Sequence, residues 1–225
     1  MSGFEKWAAQ WNKNPRRNTI GKKFREFVSP PGPIKQQIIS AVYKITNQIN
    51  RLDYSMAKLQ SYDKQLFEKT VNSLIEGDKT KAAMFAGELA EIRKMAKIIL
   101  TVRYALEKVK IRLETAVIVG DMHANLAPAV VALKQVAGYL KGMMPDVFTE
   151  LMEVDETLQL TMMQTVAAVP DMLNTNVVSE EAAKILKDAS LVAEQRIKQQ
   201  FPDIPSLDSV SAPTGGLAGA TVEEK

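Results

Sequence analysis

Residues 34–78 read IKQQIISAVYKITNQINRLDYSMAKLQSYDKQLFEKTVNSLIEGD, and the spacing of their apolar side chains decides the fold. Ile38, Val42, Ile45, Ile49, Leu52, Met56 and Leu59 recur at alternating steps of four and three. That period puts them on one narrow stripe of an α-helix, as in a coiled coil. Tyr62, Leu66, Val71 and Leu74 continue the stripe with a small phase shift. Gly77-Asp78 then interrupts it, glycine ending one helix in the left-handed conformation and aspartate capping the next.

Outward from this turn, a second stripe returns through Phe85, Leu89, Ile92, Ala96, Ile99, Val102, Leu106, Val109, Leu113 and Val117. No proline occurs between Pro33 and Pro128. The pattern predicts an antiparallel helical hairpin over 34–119 with its tip at Gly77 and Asp78. Each arm is about 40 residues and roughly 60 Å long. A hairpin of that length exposes more surface than it buries, which suits a subunit that packs against copies of itself.

Shorter elements follow. Pro128–Met144 and Pro145–Val166 each read as a helix opened by its proline, completing a helical core over 34–166. Residues 167–178, with Pro170 and Asn174–Asn176, read as a linker. Ser179-Glu180-Glu181 reads as the cap of a last amphipathic helix over 179–200. Its apolar face holds Ala182, Ile185, Leu186, Ala189, Val192, Ala193 and Ile197. Residues 201–225, rich in Pro, Ser, Gly and Thr, read as a disordered tail, and residues 1–33 as a basic arm. The expected fold class is all-α.

Composition narrows the function. With 46% apolar and 24% charged residues among 225, the chain can bury a core. It has no cysteine, which excludes disulfides, thiolate metal sites and a cysteine nucleophile. Its single histidine, His123 beside Asp121, excludes a two-histidine metal motif and reads as a helix-surface residue. Gly215-Gly216 lies in the tail without the strand–turn–helix setting of a phosphate loop. No catalytic constellation, metal site or cofactor site emerges, so the expectation is a non-enzymatic protein without a small-molecule substrate. No segment reaches the run of about 20 apolar residues that spans a bilayer, and Glu5 and Lys6 interrupt any signal peptide. The expected location is cytoplasmic.

The net charge of +3 conceals a split. Residues 1–113 carry 22 Lys and Arg against 10 Asp and Glu; residues 114–225 carry 7 against 16. The two halves can attract each other, and the front half can attract an anionic surface. The arm sharpens the second reading. Phe4, Trp7 and Trp11 lie on one helix face, followed by Lys13, Arg16, Arg17, Lys22, Lys23 and Arg25, ahead of Pro30. Aromatics at this spacing are more often core. At a chain terminus beside a basic cluster they favour an interfacial helix on an anionic membrane. The same basic residues could hold nucleic acid through phosphates, although no DNA- or RNA-binding module is recognisable. At the other end, Phe201-Pro202-Asp203-Ile204-Pro205 has two readings of equal standing on spacing alone. It is either a stiffened extended peptide that docks in a groove or a pair of helix-terminating prolines.

Taken together, a basic long hairpin, shorter acidic helices and a proline-bearing C-terminal peptide resemble the ESCRT-III family, most closely the archaeal CdvB-type division proteins. The resemblance covers roughly residues 34–205. It implies a self-assembling subunit, closed when the acidic late helices fold over the basic hairpin and open when it polymerises on a membrane. Filaments of this chain, with paralogous ESCRT-III-like subunits, would narrow a membrane neck at the division site. Phe201, Pro202, Ile204 and Pro205 are similar to the family's proline-type motif, which implies capture by the MIT domain of a AAA+ disassembly ATPase. The tail after Pro205 reads as too short for the C-terminal winged-helix domain of one CdvB class, so the expectation is one of the shorter paralogues. The bacterial phage-shock scaffolds share the hairpin logic and are the nearest alternative.

Overall fold

The structure is a computed structural model that describes residues 34–119, 122–166 and 175–203. Those residues form five helices and no strand: α1 (Ile34–Ile75), α2 (Lys79–Val119), α3 (Met122–Leu140), α4 (Pro145–Val166) and α5 (Thr175–Gln200). The first two, of 42 and 41 residues, make the antiparallel hairpin expected from the two stripes.

The turn between them is closed by backbone chemistry. Gly77 adopts φ +76°, the left-handed conformation that glycine enters without a Cβ penalty. Its N–H donates to the Leu74 carbonyl at 3.1 Å, and the Asp78 N–H donates to the Ser73 carbonyl at 2.9 Å. Two of the orphan carbonyls of α1 are thereby satisfied in a Schellman arrangement. Asp78 then caps α2, its Oδ1 accepting the Lys81 N–H at 3.0 Å. That backbone hydrogen bond holds the Asp78 carboxyl below its ordinary pKa.

Packing closes α1, α2, α3 and α4 into a four-helix ring in which each helix touches the next, while α5 lies outside against α2 and α3. Helix α3 therefore has neighbours on three sides. This explains why Leu126, Ala127, Val130, Leu133, Val136 and Leu140 are buried around much of its circumference. Corner helix α1 packs mainly on α2 and α4, and buries one stripe that includes Ile38, Ile45, Leu52 and Leu59.

The contiguous core runs from Ile38 to Leu59 on α1 and from Ala96 to Leu113 on α2, and stops there. Toward the tip the buried side chains are Asp63, Thr70, Ser73 and Leu74 on α1, and Ala82 and Leu89 on α2. The tip is a two-helix projection with a thin, partly polar seam.

Three expectations are corrected. Pro128 does not open a helix: α3 begins at Met122 and carries Pro128 inside it. An interior proline forfeits one backbone bond and costs about 3 kcal/mol. Burial of Leu126, Ala127, Ala129 and Val130 around it outweighs that loss. Second, α5 starts at Thr175, so Ser179-Glu180-Glu181 lies within the helix rather than capping it, and residues 175–178 are helix rather than linker. Asn, Thr and Val disfavour a helix by only tenths of a kcal/mol each, too little to stop one that tertiary packing favours. Third, the buried stripe of α1 passes through Asp63, while Tyr62 is 39% exposed. By contrast, α4 does open at its proline: Met144 precedes Pro145, and its carbonyl accepts the Phe148 N–H at 3.0 Å.

Candidate functional site: the C-terminal helix seated on the hairpin

Helix α5 runs antiparallel to α2 on the outside of the bundle, and its seat is built from small side chains. Ala182, Ile185, Ala189 and Ala193 are buried at steps of three and four. Three alanines allow the helix backbone to lie close to its support, with Ile185 filling the space between. Half-buried Leu186 and Ile197 pack against the same core.

Along this seat, acids of α5 meet bases of α2 in descending order. Arg112 pairs with Glu181 at 2.6 Å, Lys108 with Asp188 at 2.6 Å, and Lys97 with Glu194 at 3.9 Å. The Lys108 hydrogen bond is the main reason that the Asp188 carboxyl lies below its ordinary pKa. The charge split noted in the sequence is realised here as a row of cross-helix pairs. Each pair is partly open to solvent, where ion pairs contribute little. Burying Ile185 and Phe201 is worth about 1.5–3 kcal/mol each. The apolar seat therefore does most of the holding, and the charges set direction and order.

The seat ends at a buried ion pair. Arg93 of α2 donates to Asp63 of α1 through Nε at 2.6 Å and through an Nη at 3.3 Å. The side chains are 14% and 4% exposed, so the pair is largely dry. Phe201, immediately after α5, lies under the guanidinium at 5.6 Å and is 5% exposed. Gln200 accepts a hydrogen bond from Gln60 at 3.1 Å beside it. A guanidinium over an aromatic face gains from the ring quadrupole. Phe201 thus seals the junction where the four-helix bundle gives way to the bare tip.

The other sequence-derived sites are distributed as follows. Gly77 and Asp78 form the tip turn described above. Phe201 is buried, Pro202 and Asp203 are exposed, and Ile204 and Pro205 lie outside the described residues. Phe4, Trp7, Trp11, Lys13, Arg16, Arg17, Lys22, Lys23 and Arg25 also lie outside them, as do Asp121 and Gly215-Gly216. His123 falls in the first turn of α3. Among the described residues, no group of three or more His, Cys, Asp or Glu is placed to hold a metal ion, and no helix is long and apolar enough to cross a membrane. Sequence reading missed the Asp63–Arg93 pair, although its signal was present: Asp63 stands four residues after Leu59, on the continued stripe. It also missed the anchor of α4 on α1, where Gln48 and Arg51 both donate to the Glu150 carboxylate.

Comparison with known proteins finds relatives among cell-division proteins. The chain is 42% identical over 176 residues to Cell division protein B1 of Sulfolobus acidocaldarius, a match covering 77% of this chain and 81% of that one. It is 31% identical over 172 residues to Cell division protein B of the same organism, covering 76% of this chain and 66% of that one. Cell division protein B3 matches at 32% over 111 residues, 48% of this chain and 63% of its own length. No protein-family model and no solved structure matches significantly. The chain belongs to the CdvB family of ESCRT-III-like cell-division proteins.

Proposed function

We propose that the chain is a self-assembling subunit that binds the cytoplasmic face of the cell membrane and remodels it during cell division, without catalysing a reaction. The observation that supports this most is the mounting of α5: an acid-edged helix on small side chains, outside a bundle that has its own core without it. Release of α5 uncovers Lys97, Lys108 and Arg112 of α2 and leaves the ring of four helices in place. A basic, elongated surface then faces either a neighbouring subunit or an anionic lipid layer. In this reading the basic arm with Phe4, Trp7 and Trp11 anchors the subunit to lipid. Hairpins stack with copies of themselves and with paralogous subunits, and the neck narrows as the filament tightens. The MIT domain of a AAA+ ATPase takes Phe201, Pro202, Ile204 and Pro205 during disassembly.

The test is electron microscopy of the full chain with anionic and neutral vesicles, beside a chain lacking residues 1–33. Coats or tubules on anionic vesicles with the full chain, and none with the truncation, are expected. Absence of binding and deformation by both chains would leave a scaffold whose link to the membrane lies in another protein.

A further inference from the structure

Helix α1 packs against α2 and α4 and touches the end of α5 through Gln60, away from the side opposite the buried stripe, which faces outward. From the base of the hairpin that side carries Ile39, Tyr43, Asn47, Asn50, Tyr54 and Ala57. Ile39 is 55% exposed, Tyr43 68% and Tyr54 63%. Tyr43 and Tyr54 are eleven residues apart, close to three whole turns, and so share one face. None of the six is charged, in a chain where 24% of residues are. The outward side of α4 is different, with Asp146, Glu150 and Glu156 exposed and no Lys or Arg in the helix. The outer side of α5 presents Lys184 and Lys187.

Charge decides which of these surfaces can meet its own copy. A two-fold contact juxtaposes the same patch on both subunits, so a patch of one sign repels itself. The α1 face carries no such penalty. It is also self-matching in order: the midpoint between Tyr43 and Tyr54 coincides with the midpoint between Asn47 and Asn50. An antiparallel copy centred there sets Tyr43 against the second copy's Tyr54, twice, with Asn47 against Asn50 between them. Ring can then pack on ring, and the amides can donate and accept across the axis. Lys58, whose ammonium lies 4.6 Å from the centre of the Tyr54 ring, falls opposite the apolar Ile39 rather than another cation.

We propose that the outward face of α1 is a docking surface for a second copy of this chain, packed antiparallel about the level of residues 47–50, with α5 still seated. It concerns the closed subunit in the absence of lipid, and so stands apart from membrane-bound assembly.

Gln36 and Ser61 are exposed, lie on the same face and are symmetric about the same midpoint. Because the chain has no cysteine, Gln36→Cys and Ser61→Cys provide single thiols that leave both tyrosines in place. A short bismaleimide is applied to the full-length variants, separately and mixed, without lipid. The expected result is a covalent dimer in the mixture and none in either variant alone, since like positions then stand about 37 Å apart. Tyr54→Glu added to both variants should abolish the cross-link and convert the sedimenting dimer to monomer, with helical circular dichroism unchanged. Cross-linking of each variant with itself would mean parallel packing and overturn the proposal. So would a monomer throughout, or a cross-link that forms only after residues 1–33 are removed, which would assign the face to the arm.

Discussion

The base of the hairpin and its tip are parts of the same two helices, yet they are held by different means. At the base, Ile45, Leu52, Val102, Leu106 and Val109 are closed in by α3 and α4 and belong to one continuous core. At the tip, Thr70, Ser73, Ala82 and Leu89 face each other with no third helix over them. Thr70 turns its hydroxyl back onto the Leu66 carbonyl at 2.8 Å, so that even this buried polar group is satisfied locally. A segment with few buried apolar groups opens at lower free energy than the body to which it is attached. The same helical pattern can thus form a rigid beam at one end and a compliant one at the other, according to what packs beside it.

The largest expected effect tests this contrast. Leu106 and Leu89 are both fully buried. Replacing Leu106 by Ala should lower global stability in chemical denaturation by about 3 kcal/mol, because Leu106 lies in the continuous core. Leu89→Ala should instead speed amide hydrogen exchange within the tip, with a global change under about 1 kcal/mol. Equal losses in denaturation would mean that base and tip unfold as one unit.

The junction between the two regions comes next. Asp63→Ala strands Arg93 in a largely dry position and should cost about 3 kcal/mol, read as a shift in the denaturation midpoint. Asp63→Leu combined with Arg93→Met should recover most of that loss, since a packed apolar pair substitutes for a buried ion pair at little cost. Failure of the double variant to recover would show that contact with Phe201 through the guanidinium matters more than neutralisation of Asp63.

The smallest effect concerns pH and lies in the base. Asp155 of α4 is buried, with Oδ2 accepting from Gln159 at 2.6 Å and Oδ1 unpartnered within the protein. Burial raises its pKa above the ordinary 3.8. The folded state therefore binds the proton more tightly than the unfolded state. Its share of stability is largest below pH 3.8 and falls as pH rises through the elevated value. Asp78 and Asp188 act in the opposite sense, because their lowered pKa values remove stability as the solution is acidified below the ordinary carboxylate range. In denaturation series across pH, Asp155→Asn should flatten the first dependence and leave the acid limb intact. An unchanged profile would mean that the carboxyl is solvated.

The all-α class and the long hairpin were legible because steps of three and four leave a helix little alternative, and because Gly77-Asp78 suits the one backbone conformation that the turn requires. Pro128 misled because a proline marks a helix start only when nothing stabilises the turns before it; here burial in α3 does. Tyr62 was preferred to Asp63 because a stripe traced through apolar residues passes over a charged one. Only the partner thirty residues later, Arg93, makes that charge tolerable inside. At the candidate site, the apolar face of α5 could be read from spacing except at Val192, which is 37% exposed. Its alignment with Lys97, Lys108 and Arg112 could not, since pairing across long stretches of chain leaves no periodic mark.

The ion pair between Asp63 and Arg93 has one further consequence, for register. Two smooth coiled-coil stripes can slide past each other by a heptad at modest cost, which would leave the length of the hairpin undetermined. Sliding by seven residues one way would set Asp63 against Leu100 and Arg93 against Thr70. Sliding the other way would set Asp63 against Ala86 and Arg93 against Met56. Either slip strands two charges among apolar or neutral neighbours, so a single pair fixes the length of every tip to within one heptad.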